Sequence, residues 1–329
     1  MTVVRWWAGL LFSFEGGDRP YFSRTPALPG ATTGGSPLLF PHSRTPPVSF
    51  LDRLAAIQQQ KQSRLCVGLD PDPARFPSFL LGDHSLAASA MRFNAAIIEA
   101  TAPLACAFKL NLAFYENFGR EGPRVIDETL DRIPSDTLAI ADGKRADIGN
   151  SARFYAAATF KRHNFDACTI SPYMGRDAAE SFLGYEDKAV FVLTRTTNAS
   201  AGALQQLEAT DPEDGDDEVP RPLYEHVARH VADWGAAADG TSGLVAGATD
   251  PGALARLREL GSEMPFLVPG VGAQGGTAEE VIEAATPGPT LVNSSRSILY
   301  AYDEEYSRDF ADAAREAAES LRDQLWEAG

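Results

Sequence analysis

The segment ADGKRADIGN, residues 141–150, follows the apolar run TLAIA and places Asp142, Lys144 and Asp147 at i, i+2 and i+5. Alternate residues of a strand share a face, so Asp142 and Lys144 are expected to project together from a strand end, with Asp147 on the loop beyond. Lys109, two positions before the end of the earlier run CAFKLN, is expected to point into the same mouth from the adjacent strand. Nearby carboxylates favour the charged form of a lysine. A Lys-Asp-Lys-Asp array therefore offers fixed ammonium groups, suited to stabilising localised negative charge and to moving a proton. The competing reading is a salt-bridge network at a rim. Against it, two of only five lysines, beside 24 arginines, stand in this array.

Positioning such groups requires strands that end together. From residue 50 the chain alternates between short apolar runs and longer amphipathic segments. The runs are LCVGLD (65–70), CAFKLN (106–111), TLAIAD (137–142), DACTIS (166–171), AVFVLT (189–194), GLVAGA (243–248), PFLVPG (265–270) and TLVNSS (290–295). Between them lie helix-like stretches such as 85–102, 151–163, 222–235 and 251–261, with a closing helix expected from about 303 to 327. Eight near-continuous apolar strands, each followed by a helix, predict a single-domain α/β fold, the (β/α)₈ TIM barrel. An open doubly wound sheet is the alternative, but no GxGxxG follows the first strand.

Active sites of such barrels lie at the C-terminal strand ends. Here those ends carry Asp70, Lys109 and Asn111, Asp142 and Lys144, Thr194, Gly270, Ser294 and Arg296. The last two loops, PGVGAQGG (269–276) and NSSRSI (293–298), add flexible glycine backbone, the amide of Gln274 and the guanidinium of Arg296. The loops after strands seven and eight are a common phosphate site in this fold, so phosphate binding is expected there. Otherwise the glycines are only turn formers and Arg296 a surface charge.

Composition narrows the partners. The net charge is −16, from 29 Lys+Arg against 45 Asp+Glu. Nucleic acid and anionic membrane both require clustered positive charge, so neither is expected as a partner. A hydrated acidic surface suited to high salt fits better, including the run DPEDGDDE at 211–218. Cys66, Cys106 and Cys168 each lie in an apolar run without CxxC or CxxH spacing, which reads as buried thiols in a reducing, cytoplasmic setting. His226 and His230 are four apart on a predicted helix but lack a HExxH pattern or a third ligand; no metal is expected.

Residues 1–47 differ from the rest, with seven of the 22 prolines, no regular periodicity and an excess of positive charge. WWAGLLFSF is too short to span a bilayer. The expectation is a disordered extension or a mis-assigned upstream start, dispensable for stability and activity, with the barrel domain occupying 48–329.

In order along the chain, LCVGLDPD (65–72), FKLNLAFYE (108–116), DGKRADIGNSA (142–152), VLTRTTN (192–198), PGVGAQGG (269–276) and SRSI (295–298) resemble the orotidine 5′-phosphate decarboxylase family, in its type 2 subfamily, over nearly everything from Ser49 onward. DxKxxD alone is shared with sugar-phosphate lyases of the same superfamily; the ordered set is specific. The resemblance implies conversion of orotidine 5′-phosphate to UMP without metal or organic cofactor, by a homodimer. It makes Lys144 the proton donor to C6, flanked by Asp142 and Asp147, with Lys109 completing the charged network. Asp147 and Ile148, with Ser151 nearby, would complete the partner's site. It assigns Asp70 to the ribose, Thr197 or Thr196 to the pyrimidine, and Gln274 and Arg296 to the phosphate, with Gly275 and Ser295 offering backbone. The competing readings are a sugar-phosphate lyase, which needs a metal; a Schiff-base aldolase, which needs a neutral lysine; and a phosphate-binding protein without turnover.

Overall fold

The computed structural model describes residues 48–82, 85–211, 219–271, 276–302 and 308–329. The expectations for residues 1–47, and most of the acidic run 211–218, therefore lie outside the described residues. Eight strands form the barrel: β1 Leu65–Leu69, β2 Ala107–Asn111, β3 Leu138–Arg145, β4 Ala167–Ile170, β5 Ala189–Arg195, β6 Thr241–Ala246, β7 Phe266–Pro269 and β8 Thr290–Ser294. They pair in parallel, each with its sequence neighbours, and β8 closes on β1. All eight coincide with the apolar runs. The chain belongs to the closed (β/α)₈ class, not the open sheet.

A helix follows every strand: Leu86–Thr101, Gly122–Leu130, Gly149–Ala157, Arg176–Leu183, Leu223–Ala236, Pro251–Leu260, Ala278–Ala285 and Phe310–Glu327. The closing helix starts at Phe310, later than its expected start near 303. Between β5 and its helix the chain inserts a helical turn, Gly202–Gln205, and a short antiparallel pair, Glu208–Ala209 with Arg221–Pro222.

Alternation along the strands divides the core in two. Leu65, Val67, Phe108, Leu110, Val190 and Val192 face outward and pack under the helices. Ala107, Leu138, Ile140, Ala167, Ala189, Phe191, Val245, Leu267 and Leu291 form a separate cluster inside the barrel. Continuing the same alternation toward the C-terminal ends, the inward positions turn polar: Asp70, Lys109, Asp142, Thr169, Asn293 and Ser295 all line one cavity. The barrel is thus apolar below and charged above.

The lower opening is plugged by helix α1, Phe50–Lys61, whose buried residues Phe50, Leu54, Ile57 and Lys61 recur at helical spacing. Ser49 caps it by accepting from Asp52 N at 3.1 Å. Phe50 meets Phe191 edge-to-face, with ring centroids 6.1 Å apart. Lys61 Nζ donates to the carbonyls of Ala102 and Ala105 at 2.9 and 3.1 Å. Arg53 pairs with Asp166 at 2.7 Å, tying the plug to the start of β4.

Phe50→Ala removes a fully buried ring from this plug. It is expected to cost about 3–5 kcal/mol of stability in urea unfolding, while ligand binding at the opposite end stays close to wild type wherever the variant remains folded.

Candidate active site

The cavity at the C-terminal strand ends has a volume of about 500 Å³. It is built around one carboxylate. Asp142 Oδ2 accepts from Lys109 Nζ at 2.9 Å, and Asp142 Oδ1 accepts from Lys144 Nζ at 2.6 Å. The Asp142 and Lys109 side chains are only 9% and 6% exposed, whereas Lys144 is 49% exposed. The two ammonium groups therefore play unequal parts: one is sealed into the barrel, and the other stands at its mouth.

The electrostatics follow from that packing. Burial would drive the Lys109 ammonium toward its neutral form, but Asp142, with Asp70 adding to it, more than offsets this and holds its pKa above the ordinary lysine value. Burial likewise would raise Asp142, yet Lys109 and Lys144 together hold its carboxyl well below the usual carboxylate range. Both partners remain charged because each is the other's counter-ion.

Local backbone at the end of β3 aims Lys144. Pairing with β4 is regular through Ala141 and shifts register before Arg145. Within the shift Lys144 adopts φ +48°, in the left-handed region, which costs a residue with a Cβ about 1–3 kcal/mol. Its amide, released from the ladder, donates to Thr169 Oγ1 at 3.0 Å, and Thr169 Oγ1 donates to Asp142 Oδ1 at 2.9 Å.

The remaining walls come from other strand ends. Asp70 closes β1 with a buried Oδ1 that has no hydrogen-bond partner among the described residues. Ser295 lies directly against Gly68 of β1, where any Cβ would fall 1.9 Å from its Oγ; a side chain there would push β8's loop out of the cavity. Arg296 is exposed, lines the cavity and has no ion pair among the described residues. Thr196 and Thr197 line it from the loop after β5.

A family model described as "Orotidine 5'-phosphate decarboxylase / HUMPS family" matches residues 63–309. The chain is 45% identical over 283 residues to the orotidine 5′-phosphate decarboxylase of Azoarcus sp. (strain BH72), covering 84% of this chain and 98% of that protein. It is 43% identical over 285 residues to that of Ralstonia pickettii (strain 12J), covering 84% and 97%. Among solved structures, the Leishmania donovani OMP decarboxylase superposes with a TM-score of 0.67 at 37% identity, covering 83% of this chain and 98% of that one. The chain belongs to the orotidine 5′-phosphate decarboxylase family.

Of the residues singled out from the sequence, Lys109, Asp142, Lys144, Asp70, Thr197, Ser295 and Arg296 converge on the cavity. Asp147, Ile148 and Ser151 are not among its lining residues. They lie on the segment leaving β3, where Asp147 accepts from Ile148 N at 2.8 Å and Ile148 is 53% exposed. Gln274 and Gly275 lie outside the described residues. Thr194, a strand-end candidate, turns away from the cavity and donates to Val192 O. His226 and His230 do not converge: His226 Nε2 lies 2.8 Å from Ala209 O, and His230 Nε2 lies 2.7 Å from Asp211.

Thr169 and Gln205 are among the lining residues that escaped the sequence reading. Thr169 sits in a run whose β-branched residues read as strand formers; only its inward register beside Asp142 reveals it. Gln205, on the inserted turn, clamps Thr196. Its Oε1 accepts from Thr196 N at 3.0 Å and its Nε2 donates to Thr196 Oγ1 at 2.8 Å, while that hydroxyl donates to Asn198 at 2.6 Å. No sequence period marks Gln205.

Asp142→Asn would leave Lys109 buried without its counter-ion, and a loss of about 3–5 kcal/mol at pH 7 is expected in urea unfolding. The wild-type contribution has a defined pH window. The folded Asp142 value is depressed, so its stabilisation is present above the unfolded carboxyl value near 4 and fades as pH falls below it. The folded Lys109 value is raised, so its stabilisation is present below the unfolded lysine value and fades as pH climbs through the folded one. The contribution of the pair to wild-type stability should be flat across neutral pH and shrink only at the two extremes; in Asp142→Asn, burial without the counter-ion lowers the Lys109 value, so the variant's deficit should narrow as pH rises through that lowered value.

Proposed function

We propose that this cavity decarboxylates orotidine 5′-phosphate to UMP, with Lys144 stabilising the charge that develops at C6 and then protonating it. The observation that carries the reading is the single Asp142 carboxylate shared by a sealed ammonium, Lys109, and a half-exposed one, Lys144, at the mouth. When the C6–carboxylate bond breaks, its electron pair stays on C6 and CO₂ departs. No neighbouring carbonyl delocalises that pair, so a fixed positive charge aimed at C6 lowers the barrier more than it aids ground-state binding. Lys144 Nζ then gives C6 a proton and recovers one from solvent, to which its side chain is open. The step balances without metal or organic cofactor. Asp142 and Lys109 hold the ammonium in place.

The other walls divide the rest of the substrate. Asp70 offers its unpartnered carboxylate oxygen to ribose hydroxyls. The Thr196 hydroxyl is already committed to Gln205 and Asn198, which leaves Thr197 for the pyrimidine edge. Arg296, with Ser295 beside it, takes the phosphate, and Gln274 and Gly275 are assigned to the same group. Binding energy gathered at the phosphate, remote from C6, helps orient the ring.

The reading also places the working unit at residues 48–329, in a cytoplasmic homodimer with no nucleic-acid or membrane partner; the acidic composition supports high-salt conditions. No helix among the described residues is long and apolar enough to cross a membrane. Self-association is supported by apolar side chains exposed beyond β3 and β4: Ile148, Phe154, Tyr155, Tyr173 and Met174, of which Tyr173 is 83% exposed. Asp147 and Ile148 border this surface, in keeping with their completing the partner's cavity.

Purified protein is expected to consume orotidine 5′-phosphate with release of CO₂ in a spectrophotometric assay. Lys144→Ala should lower kcat by at least about 10⁴-fold, combining lost proton transfer with lost charge stabilisation, while UMP binding persists. Near-wild-type turnover in that variant would remove Lys144 from its role. Mixing inactive Lys144→Ala with inactive Asp147→Ala should restore activity upon subunit exchange, because half the sites of a two-fold heterodimer then carry neither defect. Verified heterodimers that stay silent would return Asp147 to its own chain's site.

A further inference from the structure

We infer that Thr169 is the positioning residue of the charged array, its one hydroxyl setting both the backbone turn that projects Lys144 and the orientation of the carboxylate that holds it. This rests on the decarboxylase reading for its kinetic consequence, though not for its structural one.

The hydroxyl's bonding is unambiguous. Lys144 N can only donate, so Thr169 Oγ1 accepts there at 3.0 Å; its single proton is then directed to Asp142 Oδ1, 2.9 Å away. Oδ1 is the oxygen that also accepts from Lys144 Nζ at 2.6 Å, while Lys109 uses Oδ2. Both ends of residue 144 are thereby referred to one atom of β4: the amide directly, the ammonium through one carboxylate oxygen.

The connection matters because the amide of Lys144 rests on this hydroxyl, and the ammonium rests on Asp142, whose orientation Thr169 shares with Lys109. Lys144 lies in the register shift between Ala141 and Arg145, outside the regular ladder, in the left-handed region at φ +48°. An unfavoured conformation of this kind persists only where its surroundings over-determine it. Thr169 is 2% exposed, and its neighbour in the β5 pairing is Phe191, whose ring lies in the apolar interior cluster. Replacing the hydroxyl by a methyl leaves an amide without its protein acceptor and a carboxylate short of one of its three donors. The ammonium of a long side chain would then be free to settle over a wider range of positions, and misplacement of a reacting group by about 1 Å costs on the order of 100-fold in rate.

Thr169→Val keeps the volume and removes both hydrogen bonds; Thr169→Ser keeps both bonds and removes the methyl. Valine should lower kcat roughly 30- to 100-fold with KM for orotidine 5′-phosphate within about three-fold of wild type, and serine should restore kcat to within about three-fold. In crystals of the valine variant, Lys144 should leave the left-handed region or its Nζ should separate from Asp142 Oδ1. The inference is overturned if valine turns over like wild type, if KM rises as kcat falls, if serine fails to rescue, or if Lys144 and Asp142 in the valine variant superpose on wild type. Should wild-type protein fail to decarboxylate orotidine 5′-phosphate, the functional reading falls by itself, and the crystallographic comparison still decides whether Thr169 positions Lys144.

Discussion

A carboxylate with one ammonium on each oxygen is the constraint around which the barrel's upper half is organised. Asp142 and Lys109 are both buried, and charges removed from water are tolerated only when paired with good geometry. Parallel pairing of β2 with β3 meets that condition. Lys109 is aligned with Ile140 and Asn111 with Asp142, so inward-facing Lys109 and Asp142 are one inward position apart on adjacent strands, near enough for a 2.9 Å contact. A slip of one residue in that register would turn one of them outward under the helices. The apolar interior below and the α1 plug beneath it hold the register without contributing a polar atom to the cavity.

The same barrel contains a useful contrast in how a buried lysine is treated. Lys61, at the lower end, is surrounded by backbone carbonyls and the Thr137 hydroxyl, and its nearest carboxylate, on Asp136, is half exposed at 3.5 Å. Burial prevails there and its pKa is lowered. For Lys109, with a buried carboxylate at 2.9 Å, attraction prevails and the shift is upward. Coulomb attraction strengthens as distance and effective dielectric fall, so a closer and deeper partner, with Asp70 adding to it, turns the shift upward at Lys109. A sealed, permanently charged Lys109 gives Asp142 a fixed counter-ion, which leaves Lys144 to be the group that exchanges protons with solvent in the proposed reaction.

The fold was legible because its signals are periodic. Apolar runs of strand length separated by helical segments located all eight strands, and inward alternation explains why charged residues at neighbouring run ends share a cavity. Scarcity of lysine was a weaker guide than it looked. Lys61 and Lys188 are buried too, serving hydrogen-bond and ion-pair networks away from the cavity. Thr196 and Thr197 could not be separated by position, since adjacent loop residues obey no facing rule; the proposed choice of Thr197 rests on Gln205, whose amide occupies the Thr196 hydroxyl. Thr169 was hidden for the opposite reason: its residue type agrees with the strand around it, so nothing in the sequence set it apart.

Charge on the molecule as a whole runs against the chemistry proposed for its cavity. The net charge is −16, and an anionic nucleotide approaching such a body meets repulsion at long range. Among the described residues, Lys144 and Arg296 are the exposed cations that line the cavity, so attraction begins only close to the mouth. Salt separates the two effects. At physiological ionic strength the Debye length is about 8 Å, and in molar salt about 3 Å; repulsion from the distant surface is screened away, whereas contacts made inside the cavity, at hydrogen-bond distance, are screened far less. An acidic exterior is therefore compatible with an anionic substrate as long as the positive charge is confined to the site. The pairing of Asp142 with Lys109 serves that confinement as well, because it neutralises the buried carboxylate that would otherwise oppose the ligand from within.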